Sequence, residues 1–292
     1  MTKTIITTDS GCNPINKTNM IPDVIIEKNN TYYDTIKISQ DNIPTISYDK
    51  VLELVEKGKK ITTSAPSYED YITIFEKHLK ENKDIIHLAT SSEISAASCN
   101  TPVSIINELK EQYQNNIYLI DTKTIGSGGT LINLLAEDLT KQNLTAKEIK
   151  EHLEELKNYI YSTYYVKDTS GYRASGKVPY GTKILDILHL RYNVIVNSKG
   201  QLVPNKIYRG KINTTSLKYI KELINENNIE QYDNKYFVLL KTILEQINQE
   251  EIINYIKSFN YFENIITNHF YSAITAYGVK DQIGLALLKK RK

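Results

Sequence analysis

The chain has 292 residues, with 36 Lys+Arg against 34 Asp+Glu and a formal net charge of +2. It lacks the basic excess that displaces counterions from DNA or RNA, so no nucleic-acid partner is expected. Two cysteines, Cys12 and Cys99, exclude a disulfide framework and a multi-cysteine metal cluster and fit a reducing, cytoplasmic compartment; with no apolar run of about 18 residues and no secretory pattern in Met1 to Asp9, neither membrane insertion nor export is expected.

The first half alternates strand-like and helix-like runs. Ile5–Thr8 is β-rich and ends in the turn Asp9-Ser10-Gly11, and Val24–Ile26 is a second strand. Ser47 caps a helix with Val51, Leu52, Leu54 and Val55 on one face, closing at Gly58. Ile61 leads into Thr62-Thr63-Ser64-Ala65-Pro66-Ser67. Ser67, with Asp70 as capping-box partner, then opens a helix through Tyr71, Phe75 and Leu79. Ile85–Leu88 is a strand ending in Thr90-Ser91-Ser92-Glu93, followed by a helix over Val103–Glu111. Ile117–Ile120 is a strand ending in Asp121-Thr122. Ser127-Gly128-Gly129 precedes a helix over Leu131–Lys141, and Thr145 caps another over Ala146–Asn158. Such alternation predicts an α/β fold with a mainly parallel sheet, whose ligands sit beyond the carboxyl ends of the strands.

The second half reads differently. Tyr161–Val166 is a strand and Lys183–Leu190 is helix-like. Tyr192–Val196 and Gln201–Val203 flank a turn at Asn197–Gly200. Helices over Thr215–Asn225 and Glu250–Lys257 alternate with strands at Tyr236–Leu240, Ile265–Thr267 and Gly284–Leu288. Hairpins with helices between them predict an α+β two-layer domain. The expected division is residues 1–160 and 161–292.

The strand ends carry the chemistry. Thr62, Thr63, Ser64, Ser91, Ser92 and Ser95 offer hydroxyl donors without charge, beside helix N-termini whose amides attract anions. One such residue alone is an ordinary cap. The two runs together point to a small carboxylate or phosphate site. Catalytic constellations are thin, with no zinc His motif, nucleophile elbow or Walker loop, so no catalytic residue, metal or cofactor is assigned. Of the histidines, His78 and His152 read as surface residues and His87 as a core one; Cys12 has no base partner. Arg173, in the loop Gly171-Tyr172-Arg173, reads as an ordinary surface arginine, with closure on a carboxylate as the alternative. With 22 Tyr, 5 Phe and no Trp, tyrosine supplies most of the aromatic bulk, and each buried phenol needs a partner.

The ordered motifs resemble the DegV family of bacterial fatty-acid-binding proteins, also called FakB, nearly end to end. Asp9-Ser10 is similar to the family's N-terminal Asp-Ser, and Thr63-Ser64-Ala65-Pro66-Ser67 to its Thr-Ser-Gln-Pro-Ser. Ser91-Ser92-Glu93-Ile94-Ser95 resembles Ser-Ser-x-Leu-Ser, and Asp121-Thr122 with Ser127 to Gly129 resembles Asp-Ser…Gly-x-Gly. Gly171-Tyr172-Arg173 with Ser175, Arg209-Gly210-Lys211 and Ile283-Gly284-Leu285-Ala286 resemble the later motifs in order. The chain departs from the pattern where Ala96-Ala97 replace Gly-Thr, where the late His falls on Tyr277, and around Lys280-Asp281, as in a divergent member.

The resemblance implies a DegV-type N-terminal α/β domain, a C-terminal domain, and a long-chain fatty acid buried between them. It places Thr63 and Ser92 on the carboxylate, with Arg173 closing from the second domain. Ser64 and Ser91 are second-tier candidates, and Tyr277 stands in for the His. It implies a non-catalytic carrier in phospholipid metabolism that presents the carboxylate to a separate, FakA-like fatty-acid kinase. The alternative is an enzyme or sensor for another small carboxylate or phosphorylated metabolite bound at the same strand ends. An apolar tunnel continuing past the hydroxyls discriminates the two.

Overall fold

The computed structural model describes residues 3–34, 44–167 and 190–291. Arg173 and the expected helix over Lys183–Leu190, apart from Leu190 itself, lie outside them. The fold is α/β. Strands β1 (Thr4–Asp9), β2 (Met20–Ile21), β7 (Asp84–Ala89) and β8 (Ile117–Asp121) make a parallel sheet in the order β2-β1-β7-β8. All six β7 side chains are buried, as a strand covered on both faces requires. Alternation sends Ile85 toward α2 (Tyr68–Leu79) and α3 (Ala96–Gln112), and Ile86 and Leu88 toward α4 (Gly126–Thr140) and α5 (Ala146–Leu156). Capping boxes at Ser67/Asp70 and Thr145/Glu148 start α2 and α5 where the sequence places them.

A second sheet, β5-β4-β3-β6, is built from β3 (Val24–Glu27), β4 (Asn30–Asp34), β5 (Thr45–Ile46) and β6 (Ile61–Ser64), and α1 (Tyr48–Glu56) packs on it. Val24–Glu27 therefore lies outside the parallel sheet. The Thr62–Ser64 run, read above as following a strand, is itself strand, because β3 pairs with it antiparallel.

The third sheet runs β11-β10-β9-β14-β12-β13. It comprises β9 (Ile160–Val166), β10 (Arg191–Val196), β11 (Leu202–Tyr208), β12 (Tyr236–Lys241), β13 (Asn264–His269) and β14 (Ile283–Leu288). Helices α6 (Ile212–Leu223) and α7 (Gln249–Ser258) cover one face, over Tyr165, Phe237 and Leu285. The other face, with Tyr164, Val238 and Ala286, packs on Leu131 and Leu135 of α4.

Because α4 also turns Ile132 and Ala136 to the parallel sheet, it is buried nearly all round and joins the two sheets. Gly128 and Gly129 lie inside α4, not before it. A Cβ on Gly129 would stand 2.5 Å from the Cys12 backbone, so the two glycines admit close packing and do not form a loop around a ligand.

Candidate functional site

In the order β2-β1-β7-β8 the chain leaves β1 toward one side for β2 and the other for β7, so the crevice opens beyond the carboxyl ends of β1 and β7. There the wholly buried Asp9 accepts from Thr90 N at 2.8 Å, Thr90 Oγ1 at 2.5 Å and Cys12 N at 3.1 Å. Burial pushes this carboxyl up and the Thr90 and Cys12 bonds draw it back. Asp9 thus ties the two strand ends together. Cys12 lies beneath, and burial, then the Asp9 charge, hold its thiol well above the usual range. It is a packed thiol, not a nucleophile.

A cavity of about 240 Å³ opens over these ends. Thr63, Thr90, Ser95, Ser98 and Tyr277 form its polar wall, and Ile94, Ile125, Leu202 and Ile274 its apolar one. Asp23, the carboxyl among the described lining residues, accepts from Ser10 Oγ at 2.6 Å. Alternation along β6 turns Thr63 inward and leaves Thr62 and Ser64 exposed. Thr63 Oγ1 and Tyr277 OH are 2.5 Å apart. Burial raises the Tyr277 phenol and its bonds to Thr63 lower it, with a net rise, so it stays a neutral donor. Ser95 stands at the N-terminal end of α3 without capping it. Ser98 Oγ donates to Ser95 Oγ at 2.9 Å, which leaves the Ser95 hydrogen free to donate.

The structure brings Thr63 and Tyr277 together and does not bring the other described candidates to them. Ser92 Oγ donates to Asp121 Oδ2 at 2.6 Å, Ser91 Oγ to Gly200 O at 2.8 Å, and Ser64 Oγ to Ala65 O at 3.1 Å. These hydroxyls hold turns and a hairpin. Ser95, one of the six hydroxyls named above, lines the cavity, as does Ser98, whereas Ser92 does not. The reason is the start of α3: the helix begins at Ala96, ahead of the expected Val103, so Ser98 lies in its first turn and faces the cavity together with Ile94 and Ser95 just before it. One histidine reading also changes and another holds. His78 is buried, with Nε2 2.9 Å from Asn19 Oδ1. His87 is a core residue, bonded to Thr7 through Nδ1 at 3.0 Å, while its Nε2 has no partner. Burial pushes it down to about 3. Among the described residues no group of three or more His, Cys, Asp or Glu could hold a metal ion.

Tyr277 follows the short helix α8 (Ser272–Thr275), whose start is gripped by the N-terminal half. Asp34 Oδ1 accepts Ser272 N at 2.8 Å and Oδ2 accepts Ala273 N at 3.0 Å. Asn13, in left-handed backbone (φ 50°), accepts Tyr271 N at 2.6 Å and donates to His269 O at 3.2 Å. Three sheets, a crevice at the crossover of the parallel one, and a clamped C-terminal arm over it define an α/β fold of recognisable class.

The chain belongs to the DegV family: a family model described as "Uncharacterised protein, DegV family" matches residues 3–290. A DegV domain-containing protein of Staphylococcus aureus (strain COL) is 23% identical over 298 residues, covering 99% of this chain and 100% of that one. Two solved structures share the fold. One, described as fatty acid binding of a DegV family protein from Thermus thermophilus, has a TM-score of 0.82 at 15% identity, covering 99% of this chain and 100% of that one. The other, the Streptococcus pneumoniae fatty acid kinase (Fak) B3 protein loaded with linoleic acid, has a TM-score of 0.78 at 16% identity, with coverage of 99% and 100%. Among the described residues no helix is long and apolar enough to cross a membrane.

Proposed function

We propose that this chain binds a long-chain fatty acid and presents its carboxylate to a separate fatty-acid kinase, itself catalysing nothing. The observation that carries the reading is the polar wall of Thr63, Tyr277 and Ser95 facing the apolar wall of Ile94, Ile125, Leu202 and Ile274 across one cavity. Uncharged donors hold a buried carboxylate at tolerable cost. The apolar wall belongs to the cluster around Tyr164, Val194 and Phe270, and a tail laid against it would gain ~0.8 kcal/mol per buried CH₂. The Thermus and Streptococcus proteins, named for fatty acids they bind, support the ligand class, and the kinase in the second name supports the partner. The start of the third sheet at Ile160 supports drawing the two enclosing units as 1–160 and 161–292. Arg173 is proposed to close on the head group.

Mass spectrometry of the denatured, purified protein tests the reading. Release of a long-chain fatty acid, and a higher melting temperature on adding one to stripped protein, are expected. No lipid and no shift, under conditions that recover lipid from a positive control, overturn it in favour of a small polar ligand.

A further inference from the structure

A separate cavity of about 410 Å³ lies at the seam between the parallel and six-stranded sheets. Three lysines reach its wall from different elements. Lys123 follows β8, Lys157 follows α5, and Lys289 follows β14. No carboxylate stands among the described lining residues. Lys157 is fixed in place, with Nζ 2.9 Å from Asp121 O and 2.7 Å from Glu154 Oε2 and the side chain 8% exposed. Lys123 and Lys289 make no ion pair with a described residue, and Lys289 Nζ lies 4.7 Å over the Tyr161 ring. The neighbouring Asp121 carboxylate is turned away, taken up by Ser92 and by Lys123 N. Among the described residues two ammonium groups thus have no carboxylate partner at one cavity, with a third pre-positioned beside Glu154.

Lys123 also sits in left-handed backbone (φ 51°), which a side-chain-bearing residue adopts at a cost and which persists where the surroundings enforce it. Here the Asp121 side chain, accepting Lys123 N at 2.9 Å, sets that turn. The rest of the wall joins aromatic and apolar residues, Tyr161 and Ile195 among them, to the polar Thr124, Asn158, Asn197 and Ser198. Lysines together with aromatic and apolar lining residues suit an anion that carries an organic body.

We infer that this seam cavity binds an organic phosphate, its phosphate paired with Lys123 and Lys289 and its body laid on Ile195 and Tyr161. The inference is independent of the fatty-acid reading. The same phosphate chemistry has two sources, a free metabolite or a lipid headgroup, and the experiment separates them.

Titration calorimetry on the full chain would use pyrophosphate, adenosine diphosphate, and vesicles of phosphatidylglycerol or of phosphatidylcholine alone. Binding that weakens with salt is expected, adenosine diphosphate being tighter than pyrophosphate because it adds a body. Each of Lys123→Gln and Lys289→Gln is expected to raise Kd by about tenfold, as the loss of a charge-assisted bond does. Fatty-acid affinity in both variants stays at the wild-type value, which keeps this test separate from that of the crevice. Binding confined to phosphatidylglycerol vesicles, and lost in the same variants, assigns the phosphate to a lipid. The inference is overturned if no phosphate probe binds, or if the double variant binds as the wild type does.

Discussion

Replacing Tyr277 by Phe removes one oxygen atom and leaves the ring in its packing against Ile25, Val51 and Ala273. In the free protein that oxygen shares a 2.5 Å hydrogen bond with Thr63. Its loss should lower stability by ~0.5–1.5 kcal/mol, the net value of a neutral pair. With a carboxylate bound, the phenol makes a bond to a charged group, worth ~1.5–3 kcal/mol. Thr63, freed from Tyr277, recovers part of that by turning its own hydroxyl to the ligand. The expected net loss is ~1–2 kcal/mol, or a Kd raised about 5- to 30-fold. Displacement of a fluorescent fatty acid from stripped protein measures it, with melting temperature as the control for fold. Because burial holds the Tyr277 phenol above its ordinary value of ~10, the ratio of variant to wild-type Kd should be flat from pH 6 to 9. A Kd within about twofold of wild type would refute the placement of this hydroxyl on the ligand.

Ser95→Ala should weaken fatty-acid binding by ~1.5–3 kcal/mol, whereas Ser92→Ala should cost only stability, through its lost bond to Asp121; equal binding losses in the two would contradict the assignment. Gly129→Ala drives a methyl to 2.5 Å from the Cys12 backbone and should destabilise by ~1–3 kcal/mol or more in urea titration; an unchanged midpoint would show that α4 can shift. His87, pushed down to about 3 from an unfolded value of ~6.5, contributes stability that is complete above pH 6.5 and is lost as pH falls toward 3. His87→Gln should therefore lose less stability than wild type between pH 6.5 and 4; parallel acid branches would remove His87 as a source of acid lability.

Local rules carried the reading where the signal is local. Ser67 with Asp70 and Thr145 with Glu148 mark helix starts because a cap and its partner sit three residues apart. The apolar run around Ile85 marks a buried strand because both its faces are covered. The readings that shift lie where distant chain decides. Thr62–Ser64 looks like a hydroxyl-rich loop until β3 pairs with it, and that pairing alone selects Thr63 from its neighbours. Ser92 and Ser95 are alike as residue types, and the start of α3 ahead of Pro102 separates them. Thr63 and Tyr277 stand 214 positions apart, so no spacing rule joins them; the resemblance alone put both at one site. The glycines of α4 read as preceding the helix because glycine is a poor helix former, and they lie inside it because tight packing, of Gly129 against Cys12, calls for glycine.

The grip of Asn13 and Asp34 on the C-terminal arm bears on how the protein is made. Asn13 is translated 258 residues before Tyr271, and Asp34 238 residues before Ser272. The last strand, β14, is not at an edge but lies between β9 and β12. Until the ribosome has passed Leu288, β9 and β12 therefore lack the strand that belongs between them, the kind of unpaired edge that invites association with other chains. Contacts so distant in sequence also close slowly, since the loop entropy is lost before the contact is gained. A product truncated before α8 would carry Thr63 and Ser95 yet lack the arm bearing Tyr277 and Ile274, and with it one wall of the cavity.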